Sequence, residues 1–150
     1  MSPAVLSRAH GEYTLSDDPA RLDLLAMHRF LVSAYWCEEI PLETLARAVQ
    51  TSLCLGAYAA EGAQVGLTRC VSDYATFCWV CDVYVLPAHR GRGVARALME
   101  FVRAHPRLQG LRRWSLVTRG AHALYRASGF GALAHPERHM ECVQTDLYRR

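Results

Sequence analysis

Apolar positions along this chain change their period more than once. From Leu22 they recur at helical spacing, with Leu24, Leu25, His28, Leu31, Val32 and Tyr35 forming one stripe. Pro41 interrupts, and Leu42 to Gln50 resumes the helical period with Leu42, Leu45, Ala46 and Val49 on one side. Ahead of these, Glu12 to Ser16 reads as a short strand closed by the turn-forming Ser16-Asp17-Asp18-Pro19. Behind them the pattern turns strand-like. Ser52 to Ala60 and Gln64 to Val71 flank Glu61-Gly62-Ala63 as a hairpin. Thr76 to Val85 is dense in aromatic and β-branched residues and is the strongest strand of all. Its odd positions, Phe77, Trp79, Cys81, Val83 and Val85, are all apolar, whereas Thr76, Cys78, Val80, Asp82 and Tyr84 are mixed. Alternation therefore predicts an odd-numbered core face and an even-numbered face free for chemistry.

A helical period returns after a glycine loop. Val94, Leu98, Phe101 and Val102 share one face, Arg96, Glu100 and Arg103 the other, and His105-Pro106 stops the run. Trp114 to Thr118 reads as a further strand, and Ala121 to Ser128 as a short helix closed by Gly129. The remainder, through Met140-Glu141-Cys142-Val143, is expected to add one or two strands. Hairpins first and a strand–helix–strand unit later predict an α/β fold of the α+β type, a mixed sheet with helices on both faces.

Composition narrows the picture. The 150 residues fit one domain, 1–150, with a single core. No apolar run approaches the roughly 18 residues a membrane span needs, and the first residues lack a charged-then-apolar leader, so a cytoplasmic protein is expected. The net charge is +3 and all the basic charge is Arg, too scattered for a nucleic-acid surface. Cys37, Cys54, Cys70, Cys78, Cys81 and Cys142 are dispersed. Only Cys78 and Cys81 have metal-like spacing, within a strand that points them to opposite faces, so no metal is expected and the thiols read as small buried hydrophobes.

The glycine loop carries the chemistry. Leu86-Pro87-Ala88-His89-Arg90-Gly91-Arg92-Gly93 joins a strand to a helix. Glycines let backbone N–H groups approach an anion, and the helix start adds unpaired N–H groups and a positive dipole end. Arg90 and Arg92 can add charge-assisted hydrogen bonds. The dinucleotide and Walker patterns both fail, for want of a third spaced Gly and of Gly-Lys-Ser/Thr.

Asp82 through Ala95 resembles the acetyl-CoA signature of the GNAT superfamily of N-acetyltransferases, Gln/Arg-x-x-Gly-x-Gly/Ala, with Arg90, Gly93 and Ala95 at its fixed positions. A second family motif, Leu-Tyr-x-x-x-Gly-Phe, is matched by Leu124, Tyr125, Gly129 and Phe130. The resemblance implies a mixed, mostly antiparallel sheet of six to seven strands, splayed between the Val83 strand and the Trp114 strand to form a wedge for acetyl-CoA. It implies that backbone amides of Val83, Tyr84 and Val85 line the pantetheine arm, and that Arg90, Gly91, Arg92, Gly93, Val94 and Ala95 cradle the pyrophosphate. Thr118 stands where many members have a cofactor-contacting Asn. It also implies transfer of an acetyl group to a primary amine of a small molecule, by direct attack in a ternary complex. Many relatives are dimers, which leaves a homodimer open; an idle acyl-CoA-binding or sensor module is the alternative to an enzyme.

Acetyl transfer from a thioester requires a deprotonated amine, a stabilised oxyanion and a departing thiolate. Tyr125 matches the family position that protonates the sulfur; its other reading is a ring packed on the cofactor. Asp82, a carboxylate interrupting an apolar strand, is either the base or a partner in a structural hydrogen bond or salt bridge. Asp73 and Tyr74, in the turn before that strand, and Tyr35, Trp36, Glu38 and Glu39, between the first two helices, are candidates to face the acceptor; the other reading of Glu38 and Glu39 is a pair of solvated acids. His28, on the apolar stripe, reads as a satisfied core histidine.

Overall fold

The computed structural model describes residues 3–149. Its one sheet has six strands in sequence order: β1 (Ser7–His10), β2 (Tyr13–Ser16), β3 (Leu53–Tyr58), β4 (Gln64–Ser72), β5 (Phe77–Val85) and β6 (Arg113–Ser115). Every pairing is antiparallel except β5 with β6. The helices are α1 (Leu24–Leu31), α2 (Leu42–Gln50), α3 (Val94–Ala104) and α4 (His122–Arg126).

Two cores lie on opposite faces of the sheet. On one, Val94, Ala97, Leu98, Phe101 and Val102 of α3 are buried at the spacing of a single helical face, against Leu55, Val80 and Val85. On the other, Met27 and Leu31 of α1 and Leu45 of α2 cover Cys54, Leu67 and Tyr84. Phe30 stacks on Tyr84 at 4.1 Å between ring centroids, an aromatic contact worth about 1 kcal/mol beyond burial. His28 Nε2 lies 2.8 Å from the Ile40 carbonyl, so this histidine ties α1 to the segment before α2.

Three expectations are corrected. The first strand lies in a hairpin whose other arm, β1, the sequence reading omitted; its apolar content is low and its residues are largely exposed. The segment after residue 130 forms no strand among the described residues, only a short turn at Pro136–Arg138. Met140 and Val143 are exposed there, at 97% and 61%, with no alternating apolar face to pair. The expected parity of β5 also fails along most of the strand, although Val85 is buried as expected. Phe77 and Trp79 are exposed, whereas Cys78, Val80, Asp82 and Tyr84 are buried. The reason is twofold: both faces of this strand lie under helices, and a bulge interrupts it. Leu67 faces Tyr84 and Arg69 faces Cys81, so Asp82 and Val83 together oppose Thr68 alone. Asp82 sits at the bulge with φ 52°, in the left-handed region. Before the bulge Val80 packs under α3; after it Tyr84 packs under α1.

Candidate active site

The bulge brings Asp82 into a cleft. Its carboxylate takes a hydrogen bond from Trp36 Nε1 at 2.8 Å and one from Arg69 Nε at 2.6 Å. Arg69 Nη1 in turn donates to Ser52 Oγ at 3.0 Å. The side chains of the ion pair are only 17% and 7% exposed; burial is the largest single influence on Arg69 and lowers it, but the Asp82 charge, its hydrogen bond and the neighbouring thiols together push it up from its already high value. A buried pair of this kind holds its members in place whatever its net contribution to stability.

β6 accompanies β5 for three residues only, Phe77 to Trp79 opposite Arg113 to Ser115. Beyond Trp79 the two strands part, and the edge of β5 facing away from β4 has no strand beside it. A cleft of about 740 Å³ opens there, with Trp36, Asp82, Val83, Thr118 and Tyr125 among its lining. A second hollow of about 280 Å³ is lined by Val85, Arg90, Gly91, Gly93, Val94 and Ala95. Val83 and Val85, like Tyr125 and Leu124, face one hollow each, so the two are neighbours along one wedge.

The loop at the far end is shaped by its glycines. Gly91 and Gly93 have φ 77° and 75°, conformations that glycine adopts without a Cβ penalty. A Cβ on Gly91 would meet nothing within 4 Å, leaving open space over the backbone, while one on Gly93 would lie 3.4 Å from His10 Nε2. No side chain caps α3, whose start therefore presents backbone N–H groups. The arginine side chains are turned to other tasks. Arg90 Nε donates to the Val85 carbonyl at 2.9 Å, and Arg92 pairs with Glu12 at 2.7 Å. His10 Nε2 lies 2.8 Å from the Arg92 carbonyl, so the β1–β2 hairpin braces the loop.

Tyr125 is 9% exposed at the floor of the wedge, its ring edge-on to Phe130. Burial first, and Tyr35 second, push its hydroxyl above the ordinary tyrosine range, so it stays protonated at neutral pH. Gly129, at φ 94°, closes α4 and lets the Phe130 N–H return to the Tyr125 carbonyl. Arg103 of α3 lies over the rings of Trp114 and Phe130 and donates to the Ser128 carbonyl, which fixes this turn. Thr118 Oγ1 accepts from the Ala121 N–H at 3.1 Å and so shapes the approach to α4. Tyr84 contributes backbone only, its ring being committed to Phe30.

Asp73 and Tyr74 lie outside the cleft lining. The Asp73 carboxylate is consumed by its own turn, accepting from Thr76 Oγ1 and from the N–H groups of Thr76, Ala75 and Phe77; these bonds hold it well below the usual carboxylate range. Tyr74 lies under the Arg107 guanidinium. Glu38 and Glu39 line a separate shallow groove, where Glu38 is 3.9 Å from Arg149. The sequence reading omitted Arg69, Arg119 and His10. Arg69 left a signal, a lone cation inside an apolar strand to match Asp82 in the next. Arg119 and His10 left none, because their partners Tyr35 and Arg92 are more than 80 residues away.

A family model for the acetyltransferase (GNAT) domain matches residues 51–131, more than half of the chain, including β5, the glycine loop and Tyr125. The chain belongs to the GNAT acetyltransferase family. A GNAT-family protein from Xanthomonas campestris pv. campestris, known as a crystal structure, is 45% identical and superposes with a TM-score of 0.90 over 95% of this chain and 100% of its own. A Gibberella zeae protein designated an acetyltransferase is 34% identical, over 72% of this chain and 72% of its length. An aminoglycoside N-acetyltransferase solved with CoA shares the fold, with a TM-score of 0.53 and 21% identity over 71% of this chain and 81% of its own. GNAT enzymes use acetyl-CoA, and the residues here fit it: an unpaired strand edge, a glycine loop with open space above it and an uncapped helix start lie along one wedge. Among the described residues of this GNAT chain no helix is long and apolar enough to cross a membrane. Among the described residues no cluster of His, Cys, Asp and Glu is arranged to hold a metal ion.

Proposed function

We propose that the protein is an acetyl-CoA-dependent N-acetyltransferase that acts on a primary amine of a small molecule, by direct attack in a ternary complex. The observation that carries this reading is the wedge itself. The free edge of β5, the loop Arg90–Ala95 and the protonated Tyr125 hydroxyl line two neighbouring hollows of one wedge.

Backbone N–H groups of Gly91 to Ala95 would hold the pyrophosphate, and the free edge of Val83 to Val85 the pantetheine arm. Bound acetyl-CoA supplies an acetyl thioester at the Asp82–Tyr125 end of the wedge. A main-chain N–H of the Val83–Tyr84 stretch would stabilise the oxyanion. Tyr125 would give its proton to the sulfur as the carbon–sulfur bond breaks, and regain one from water. Both oxygens of Asp82 already accept hydrogen bonds, so its part is to hold negative charge beside the incoming amine. The proton lost as the carbon–nitrogen bond forms then leaves to water through the open mouth of the cleft. The same pairing of Asp82 favours a second reading, an acyl-CoA-binding module without turnover.

Titration calorimetry with acetyl-CoA, followed by a coupled CoA-release assay over amine classes, tests the proposal. Absence of binding overturns it. Tight binding with no turnover on any amine selects the binding module.

A further inference from the structure

The acceptor end of the cleft carries a distinctive set of side chains. Among the described residues Asp82 is the one carboxylate on its wall, against two guanidiniums, Arg69 and Arg119. Arg69 is already spent on Asp82. An acceptor with several positive charges would find one carboxylate, already shared with Arg69, so a second cation would have no partner there and would face the Arg119 guanidinium.

The rest of the wall is aromatic. Trp36, Trp79 and Tyr35 line the cleft and are 42%, 41% and 43% exposed. Large aromatic rings gathered in one concave site and left wet mark surface that a ligand covers. Two of these rings are held by side-chain contacts, and the third is placed by its strand. Trp36 is held through Nε1 by the buried Asp82–Arg69 pair, and Tyr35 stands edge-on to it at 5.1 Å. The Tyr35 hydroxyl accepts from the Arg119 N–H at 2.9 Å, and the Arg119 guanidinium lies 3.8 Å over its ring. The Trp79 backbone is paired between Val71 of β4 and Ser115 of β6. A rigid apolar wall binds without the cost of ordering it first.

We propose that the acceptor is a primary amine borne on an aromatic or other planar apolar body with no second positive charge. The body lies against Trp36 and Trp79, and the amine is directed to Asp82. Asp82 is on this account a positioning residue, which orients the Trp36 indole and gives the amine an electrostatic partner. The inference rests on the N-acetyltransferase reading above.

The test compares kcat/KM for 2-phenylethylamine, n-butylamine, spermidine and phenylalanine at saturating acetyl-CoA and one pH. The expected result is at least a tenfold preference for 2-phenylethylamine over each of the others. Trp79→Ala should erase most of that preference through KM, with acetyl-CoA affinity by calorimetry unchanged; Trp79→Leu carries the same expectation if the alanine variant does not fold. Equal or better use of spermidine or n-butylamine overturns the inference and leaves the N-acetyltransferase reading standing. Preference for phenylalanine overturns it in favour of an acceptor carboxylate held by arginine. Acetyl-CoA binding without turnover of any of the four overturns it too, and failure to bind acetyl-CoA overturns both readings.

Discussion

Arg69 and Asp82 stand on neighbouring antiparallel strands, and Asp82 reaches the Arg69 guanidinium at 2.6 Å only because a bulge turns it toward α2. Removing one partner strands the other in a largely buried site. Asp82→Asn should therefore lower stability by about 3 kcal/mol, the order seen when a buried pair is broken from one side. The double variant Arg69→Met with Asp82→Asn should recover part of that loss. Urea denaturation of the three variants checks both statements. A double variant no more stable than Asp82→Asn would refute the pairing.

Gly93 holds φ 75° and would place a Cβ 3.4 Å from His10 Nε2. Gly93→Asp adds strain, bulk and negative charge at the start of α3, and should weaken acetyl-CoA binding at least a hundredfold. Gly93→Ala should lose less, about tenfold, and His10→Ala in that background should restore part of it. Calorimetric titration with acetyl-CoA reads all three.

Tyr125→Phe removes a hydroxyl that burial and Tyr35 keep protonated. Its kcat should fall about a hundredfold, within the range for a lost general acid, with acetyl-CoA affinity little changed. The sign of the pH effect follows from the raised value. The acid form is present at low pH and is lost only as pH rises past the ordinary tyrosine range near 10. The alkaline limb of kcat should therefore lie above that of an exposed phenol, and be absent in Tyr125→Phe.

Cysteine labelling separates exposure from reactivity. Cys142 is exposed, whereas Cys37 and Cys81 are half-buried beside Asp82 and Arg69. Burial first, then the charge of Asp82 for Cys37, pushes that thiol up to about 12; Cys81 is likewise pushed to about 12 by burial, with Arg69 opposing. At pH 8 only about one such thiol in ten thousand is ionised, and the thiolate is the reactive form. Iodoacetamide should modify Cys142 rapidly and the other two slowly, and Cys142→Ser should abolish the fast phase in mass spectrometry.

The helices and the cofactor loop were legible in the sequence because local rules govern them. Leu42–Gln50 coincides with the expected second helix, and the spacing of Val94, Leu98, Phe101 and Val102 gave the buried face of α3 directly. The glycines of the loop announced a backbone that other residues resist. What escaped was non-local. The side of the sheet to which Asp82 and Tyr84 turn depends on a bulge that the family resemblance implies but an alternating pattern cannot show. The pairing of Tyr35 with Arg119 and of His10 with Arg92 depends on how distant segments dock. The residues after 130 carried apolar side chains without periodicity, and a few such residues do not make a strand.

The three-residue seam between β5 and β6 has a consequence for how the molecule breathes. The pairs from Phe77 to Trp79, with the Arg112 and Arg113 N–H groups on the Thr76 carbonyl, stitch β6 to the main sheet by backbone, so β6 and the turn leading to α4 form a thinly fastened flap beside the firmly laddered β3, β4 and β5. Amide hydrogen exchange in Arg113–Ser115 should accordingly proceed by local opening, well ahead of the central strands. A ligand lying between β5 and β6 would act as the missing strut. The flap should then slow its exchange toward that of the core as the wedge fills, which makes occupancy of this cleft measurable without any chemical turnover.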